Sequence, residues 1–411
     1  MKKNIIYFCR EYNDIDHIVP IADELLTNGS VNSLCFFNYN LNKSYIDDYR
    51  IIYLQRHSHF IYSDLIESIS SSAKFFIKFC DIFQKLFNFT KKIYHLIGRT
   101  KNIYINLLYK NIDYKNIVNI ESNLIFLFDH SNSSFIDNAY NFASTNDIPV
   151  GLLMHGLDPT ENLLMSINML AINKSDKSWQ NYNKADAFFV NNEHYKKRCL
   201  AHGVSNKIIN KVGSARFSYK WSNILENITP DVDLPSLNPN YVKIVIMLNK
   251  YRYNIWKEEI ERVIKSLLLI DDVFIIVKPH TRKMIFDGFN NDRIFIADQD
   301  CHSRRLFEWS DLTLFTISSI FLDALLLDKP VLFLRLATSN KLSCNHIMKD
   351  WNVDSRDDLI KWVNRFKKDK KTRTYSENER AECLNYYVND HDNQLLSRYC
   401  NSILELKKRG Q

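Results

Sequence analysis

The chain has 411 residues and a mass of 48.7 kDa, beyond the length at which one hydrophobic core usually keeps growing, so two domains are expected. An apolar fraction of 45% and a charged fraction of 25% match an ordinary folded protein and exclude a mainly disordered one. Lys and Arg number 54 against 47 acidic residues, a formal +7; this suits an anionic partner without choosing among nucleic acid, an anionic membrane surface and a charged small molecule.

The opening MKKNIIYFCREYND carries two lysines, but its apolar run is too short for a secretory signal and charged residues follow at once. No window reaches the roughly 18 uncharged apolar residues that a membrane span needs, so a cytoplasmic protein is expected. NIIYFC predicts a strand, and DIDHIVPIADELLTNG predicts a loop and helix closed by Asn28-Gly29. VNSLCFF and YRIIYL predict two more strands. Residues 75–110 mix aromatics with Lys and Arg at near-helical spacing; amphipathic core helices and a helix resting on anionic lipid are both compatible with that pattern. The apolar runs SNLIFLFDH, IPVGLLMHG and ADAFFVNN then predict further strands ending in polar residues.

Residues 226–241, ENITPDVDLPSLNPNY, hold three prolines and no periodicity, and mark the expected linker. Alternation restarts with VKIVIML, a helix through WKEEIERVIKSLLL, then VFIIVKPH, RIFIAD, a helix near SRRLFEWS, LTLFT, a helix at SIFLDALLLD and PVLFL. Short apolar strands alternating with helices predict an α/β protein of two Rossmann-like, doubly wound domains facing across a cleft. The expected divisions are residues 1–232, 233–385 and a C-terminal helix in 386–411 that packs back on the first domain. Eight scattered cysteines, with no C-x-x-C pair and no metal-ligand spacing to His, predict free thiols, a reducing compartment and no metal site.

Ligands of open α/β sheets bind outside the carboxyl ends of the strands, so motifs there carry most weight. VFIIVKPH ends in Lys278-Pro279-His280-Thr281-Arg282, where proline fixes φ and Lys278, His280 and Arg282 are candidate donors to phosphate oxygens. LTLFT leads into Thr316-Ile317-Ser318-Ser319 at an expected helix start, an anion-attracting position unless the serines are plain caps. Asp323, one turn on, either orients a donor or faces solvent. Asn249 and Lys250 close the first strand of the second domain and are expected to face the cleft. In the first domain His155-Gly156 ends a strand, with Asp158 and Glu161 following; these carboxylates are candidate general bases or members of a capping box. Gly213, Ser214 and Arg216 form either a phosphate contact or a tight turn with a surface pair, and Asp129-His130 is a strand-end pair of open role.

The order HG, VGSARF, KPH and SDLTLFTISSIFLDALLLDKPVLFL, over most of residues 120–335, resembles the two-domain GT-B transferases of bacterial surface polysaccharides. The likeness is to the CDP-glycerol glycerophosphotransferase-like group and the Kdo and sialic acid transferases that use cytidine-activated donors. It implies that His280, Ser318 and Ser319 hold the donor phosphate. Thr281 stands where the group has proline after His, and Phe315-Thr316-Ile317 replaces its common Thr-Asp-Tyr. The implied partners are a nucleotide-activated sugar, with CMP-Kdo favoured, and a lipid-linked or oligosaccharide acceptor, at the inner face of the cell membrane. No metal or separate cofactor is implied. A CDP-glycerol or CDP-ribitol donor is the related alternative. Nucleic-acid or glycan binding without catalysis is the alternative of another class, and no aromatic RNP-type motif supports nucleic acid as the partner.

Overall fold

Strands buried along their whole length need cover on both faces; Val273–Lys278 is of this kind, and Val242–Met247 is buried at every position but Lys243. The computed structural model describes residues 2–408 apart from 69, 87–90, 111, 113–122, 130–132, 155, 162–178, 281–288, 290 and 299–300. The first sheet contains β1 (Lys3–Cys9), β2 (Val31–Asn38), β3 (Phe60–Asp64), β4 (Leu124–Asp129), β5 (Val150–Leu153), β6 (Ala187–Val190) and β7 (Ile209–Lys211), in the order 3-2-1-4-5-6-7. The second contains β8 (Val242–Met247), β9 (Val273–Lys278), β10 (Ile294–Ile296), β11 (Leu312–Phe315) and β12 (Val331–Phe333), in the order 10-9-8-11-12. Neighbouring strands run parallel throughout.

Parallel pairing places helices on both sides, and the period of two along each strand divides the core accordingly. On β1, Ile6 and Phe8 point into an aromatic cluster, with Phe8 stacked on Phe128 at 5.0 Å and edge-on to Phe126 at 5.0 Å. Ile5, Tyr7 and Cys9 point the other way, into a core that continues through the second sheet. Strand order reverses between β1 and β4 and again between β8 and β11, which gives each sheet one switch point.

Residues 49–54 are a helix, not the expected strand, and the strand of this unit is Phe60–Asp64. Asp48 supplies the reason: its carboxylate accepts from the Arg50 backbone N–H at 3.0 Å and caps the helix. Arg50, Ile51 and Leu54 then share the buried face, and the fully buried Arg50 guanidinium lies 4.1 Å from the Tyr12 ring centre. An alternation of apolar residues had concealed a buried arginine.

Residues 229–241 hold no helix or strand. The C-terminal helix Leu395–Leu404 lies against the first domain, where the Tyr399 hydroxyl donates to the Gly213 carbonyl at 2.8 Å. All eight cysteines are buried free thiols. Among the described residues, no helix is long and apolar enough to cross a membrane.

Candidate active site

The two switch points face one cleft of about 360 Å³. From the second domain it receives Asn249, Lys250 and Tyr253 after β8, His280 after β9, and Ile317, Ser318 and Ser319 after β11. From the first domain come Asn13 after β1, Gly156 to Pro159 after β5, and Trp179, Tyr195 and Arg198. Every strand that contributes does so from its carboxyl end.

The wall of the second domain is braced by its own loops. Asn249 donates its amide N–H to the Ile317 carbonyl and accepts from the Lys250 backbone N–H at 2.7 Å, tying the two switch-point loops together. The Leu248 N–H bonds the Lys278 carbonyl at 3.0 Å, fixing where β9 releases the chain toward His280. Ser318 and Ser319 precede a helix of only six residues, Phe321–Leu326. Its dipole adds little, so hydroxyls and local N–H groups, not a helix N-terminus, are the polar groups this position offers. The Ser318 hydroxyl accepts from Ile320 N–H at 3.3 Å, leaving its own O–H able to point elsewhere.

The wall of the first domain is charged and aromatic. Arg198 pairs with Asp158, whose carboxylate also accepts from the Thr160 backbone N–H at 3.0 Å and the Thr160 hydroxyl at 2.6 Å. Trp179 stacks on His202 at 4.4 Å and on Tyr195 at 5.9 Å, forming a flat aromatic side. The loop is fastened across the domain boundary: Thr160 pairs with Leu342, Glu161 N–H bonds the Lys341 carbonyl at 2.9 Å, and the Tyr387 hydroxyl donates to Pro159 O at 3.2 Å.

Several expected donors serve the fold instead. Lys278 is 4% exposed and gives its ammonium to the Asp298 carbonyl at 2.6 Å, inside the second domain. Thr316 is fully buried. Gly213 has φ +116, and a Cβ there would lie 2.2 Å from Leu395 and 2.4 Å from the Val388 carbonyl; it is needed for close packing of the C-terminal segment. Ser214 is buried beside it and its N–H bonds Val388 O at 3.0 Å. Glu161 is exposed, outside the cleft lining, and Asp129 is buried at the end of β4. Gly156 lines the cleft, where a Cβ would lie 3.9 Å from His17 Nε2, an ordinary contact. His130, His155 and Arg282 lie outside the described residues.

Arg216 and Asp323 belong to a buried charge chain between the domains. Arg216 bonds Asp323 at 3.2 Å and Asp16 at 3.4 Å, while Asp16 also pairs with Arg50. Burial would raise the Asp16 pKa, but Arg216 and Arg50 outweigh it and hold the group below its ordinary value. Burial pushes Asp323 up to about 6 because Arg216 offsets it only in part. Burial pushes the neighbouring His302 down to about 4, and its Nδ1 accepts from Arg304 N–H at 3.2 Å, as a neutral ring can. Arg216 is therefore an interdomain pin.

Asn13, Trp179, Tyr195, Arg198 and Tyr253 also line the cleft and carry no motif in the sequence that marks them out. Position alone signals Tyr253, three residues beyond Lys250 at a strand end. Arg198 sits within the helix Glu193–Ala201, and only the fold brings it to Asp158.

The architecture is a GT-B-like fold of two parallel-sheet domains. No family model matches the chain, and no curated protein matches it. Among solved structures, a UDP-GlcNAc 2-epimerase from Neisseria meningitidis bound to UDP-GlcNAc is similar at TM-score 0.59 and 14% identity, over 98% of this chain and 100% of that one. A UDP-GlcNAc 2-epimerase from Methanocaldococcus jannaschii is similar at 0.52 and 14%, over 98% and 100%. The glycotransferase of kitacinnamycin is similar at 0.54 and 10%, over 98% of both chains. At these identities the likeness concerns the fold.

Proposed function

We propose that the protein is a nucleotide-sugar-dependent glycosyltransferase of bacterial surface polysaccharide synthesis. The supporting observation is convergence: His280, Ser318, Ser319, Asn249 and Lys250 arrive from three strand ends on one side of a cleft whose other side holds Asp158 and an aromatic surface. In this reading the second domain receives the donor. His280 and the two serine hydroxyls bind the phosphate that departs, and Lys250 adds positive charge. Asp158 is the candidate base toward the acceptor hydroxyl, oriented by Arg198 and Thr160. The favoured donor is a cytidine-activated acid such as CMP-Kdo, on the motif resemblance alone; a CDP-polyol is the related alternative.

A panel of CMP, CDP, UDP and GDP, read by thermal unfolding, tests the base, since a ligand of the folded state raises its stability by mass action. Preference for uridine or guanosine would remove the cytidine assignment. Because two of the similar folds are named UDP-GlcNAc 2-epimerases, the panel includes UDP-GlcNAc without acceptor. Isomerisation of that sugar would replace transfer as the reaction. With the active donor identified, His280→Ala is expected to keep the fold and lose about 10²–10³ in turnover, the usual cost of removing one donor aimed at developing charge.

A further inference from the structure

The chain's charge excess is concentrated rather than dispersed. Residues 71–110 contain eight Lys and Arg against one Asp, a net +7, while the rest of the chain is balanced at 46 of each sign. Residues 71–110 comprise the helices Ser71–Leu86 and Lys91–Lys110 and the short segment joining them, and they follow β3 and the short helix Leu65–Ser68 in the chain. The helices pack on each other through Phe76 and Tyr104, 4.5 Å apart, and the lone acid, Asp81, is paired with Lys101 at 2.5 Å. Tyr109 anchors the second helix to the body, its ring 5.4 Å from Phe135.

The first helix buries one side, the second only half-buries one through Tyr104, Ile105, Leu108 and Tyr109, and both expose an apolar stripe. On the first, Ala73, Ile77 and Cys80 are buried, while Phe75, Phe79, Ile82 and Leu86 are exposed at intervals of four, three and four residues. On the second, Ile93, Leu96, Ile103 and Leu107 are exposed in matching helical register. These eight side chains, 39–70% exposed, are the majority of the thirteen large apolar side chains exposed among the described residues. A folded domain has no use for two such stripes in water. Lys74, Lys78 and Arg99 stand exposed beside them. Arg99, His95, Asn102 and Asn106 also line a groove of about 420 Å³ in the hairpin.

We propose that this hairpin docks the protein on an anionic lipid bilayer, its apolar stripes entering the acyl boundary and its cations meeting headgroup phosphates. A second copy of the chain is the poorer occupant, because a self-complementary contact would set +7 against +7. The proposal does not depend on the donor assignment.

The test is co-sedimentation of the full chain, without nucleotide, with vesicles of equimolar phosphatidylglycerol and phosphatidylcholine and with pure phosphatidylcholine vesicles. Binding is expected to the anionic vesicles only and to fall as salt rises. Combined Lys74→Gln, Lys78→Gln and Arg99→Gln should weaken it on the order of 100-fold. Combined Phe75→Ser, Phe79→Ser, Leu96→Ser and Leu107→Ser should abolish it with an unchanged melting temperature, whereas Leu269→Ser, at an exposed leucine elsewhere, should leave it intact. Absence of binding, equal binding to both vesicles, retention by the serine variant, or a dimer that the serine variant dissociates would each overturn the proposal.

Discussion

The two walls of the cleft are built on different principles. On the second domain the polar groups follow soon after short, largely buried parallel strands, and their backbones are cross-tied within the same domain by Asn249 and Leu248. On the first domain the carboxylate of Asp158 is held by a cation from another helix, and its loop is fastened to residues 341–343 and Tyr387 from far along the chain. One wall is tied within its own domain and the other is also fastened across the domain boundary.

Breaking the assembled side should cost most. Arg216→Ala leaves Asp16 and Asp323 facing each other across the domain boundary, with an expected loss of about 3 kcal/mol, the lower end for breaking a buried pair because these side chains keep some solvent contact. Urea unfolding measures it. Gly213→Ala should cost about 2 kcal/mol through strain at positive φ and overpacking against Leu395. Its nucleotide affinity should be normal in the folded fraction, separating a packing glycine from a phosphate contact. Arg198→Ala should raise the acceptor KM by about tenfold while donor affinity stays constant, since it removes an orienting partner on one wall only.

The smallest effect is a pH dependence set by two opposed shifts. Asp323, raised to about 6, holds its proton in the folded state where the unfolded chain has released it, so its contribution falls as pH rises from about 4 to 6. His302, lowered to about 4, binds its proton less readily when folded, so its contribution rises between about pH 4 and 6.5. These two contributions oppose each other over this window. Asp323→Asn should unmask the histidine as a rise with pH, with a slope no greater than about 1.4 kcal/mol per pH unit. Melting temperatures at closely spaced pH values read it directly.

The same division explains what the sequence revealed. Apolar runs such as VKIVIML and VFIIVKPH announce parallel strands, and the residues after them arrive at the cleft because chain direction alone puts them there. His280, Ser318, Ser319, Asn249 and Lys250 reach the cleft in this way. Chain direction is not enough at Lys278, which by the alternation of β9 turns inward to Asp298 O, and at Gly213-Ser214, whose partners lie some 175 residues away. Nor is it enough at Arg198 and Trp179, whose place depends on how helices are laid across a finished sheet. YRIIYL misled for a local reason, since the cap at Asp48 outweighed the β-like composition.

The measurement that bears most directly on the central claim is calorimetric titration of the preferred nucleotide against two variants, combined His280→Ala, Ser318→Ala and Ser319→Ala on one wall and Asp158→Asn on the other. Affinity is predicted to fall on the order of 100-fold in the first and to stay at the wild-type value in the second. Unchanged binding in the first variant, or a larger loss in the second, would contradict the assignment of the donor to the second domain.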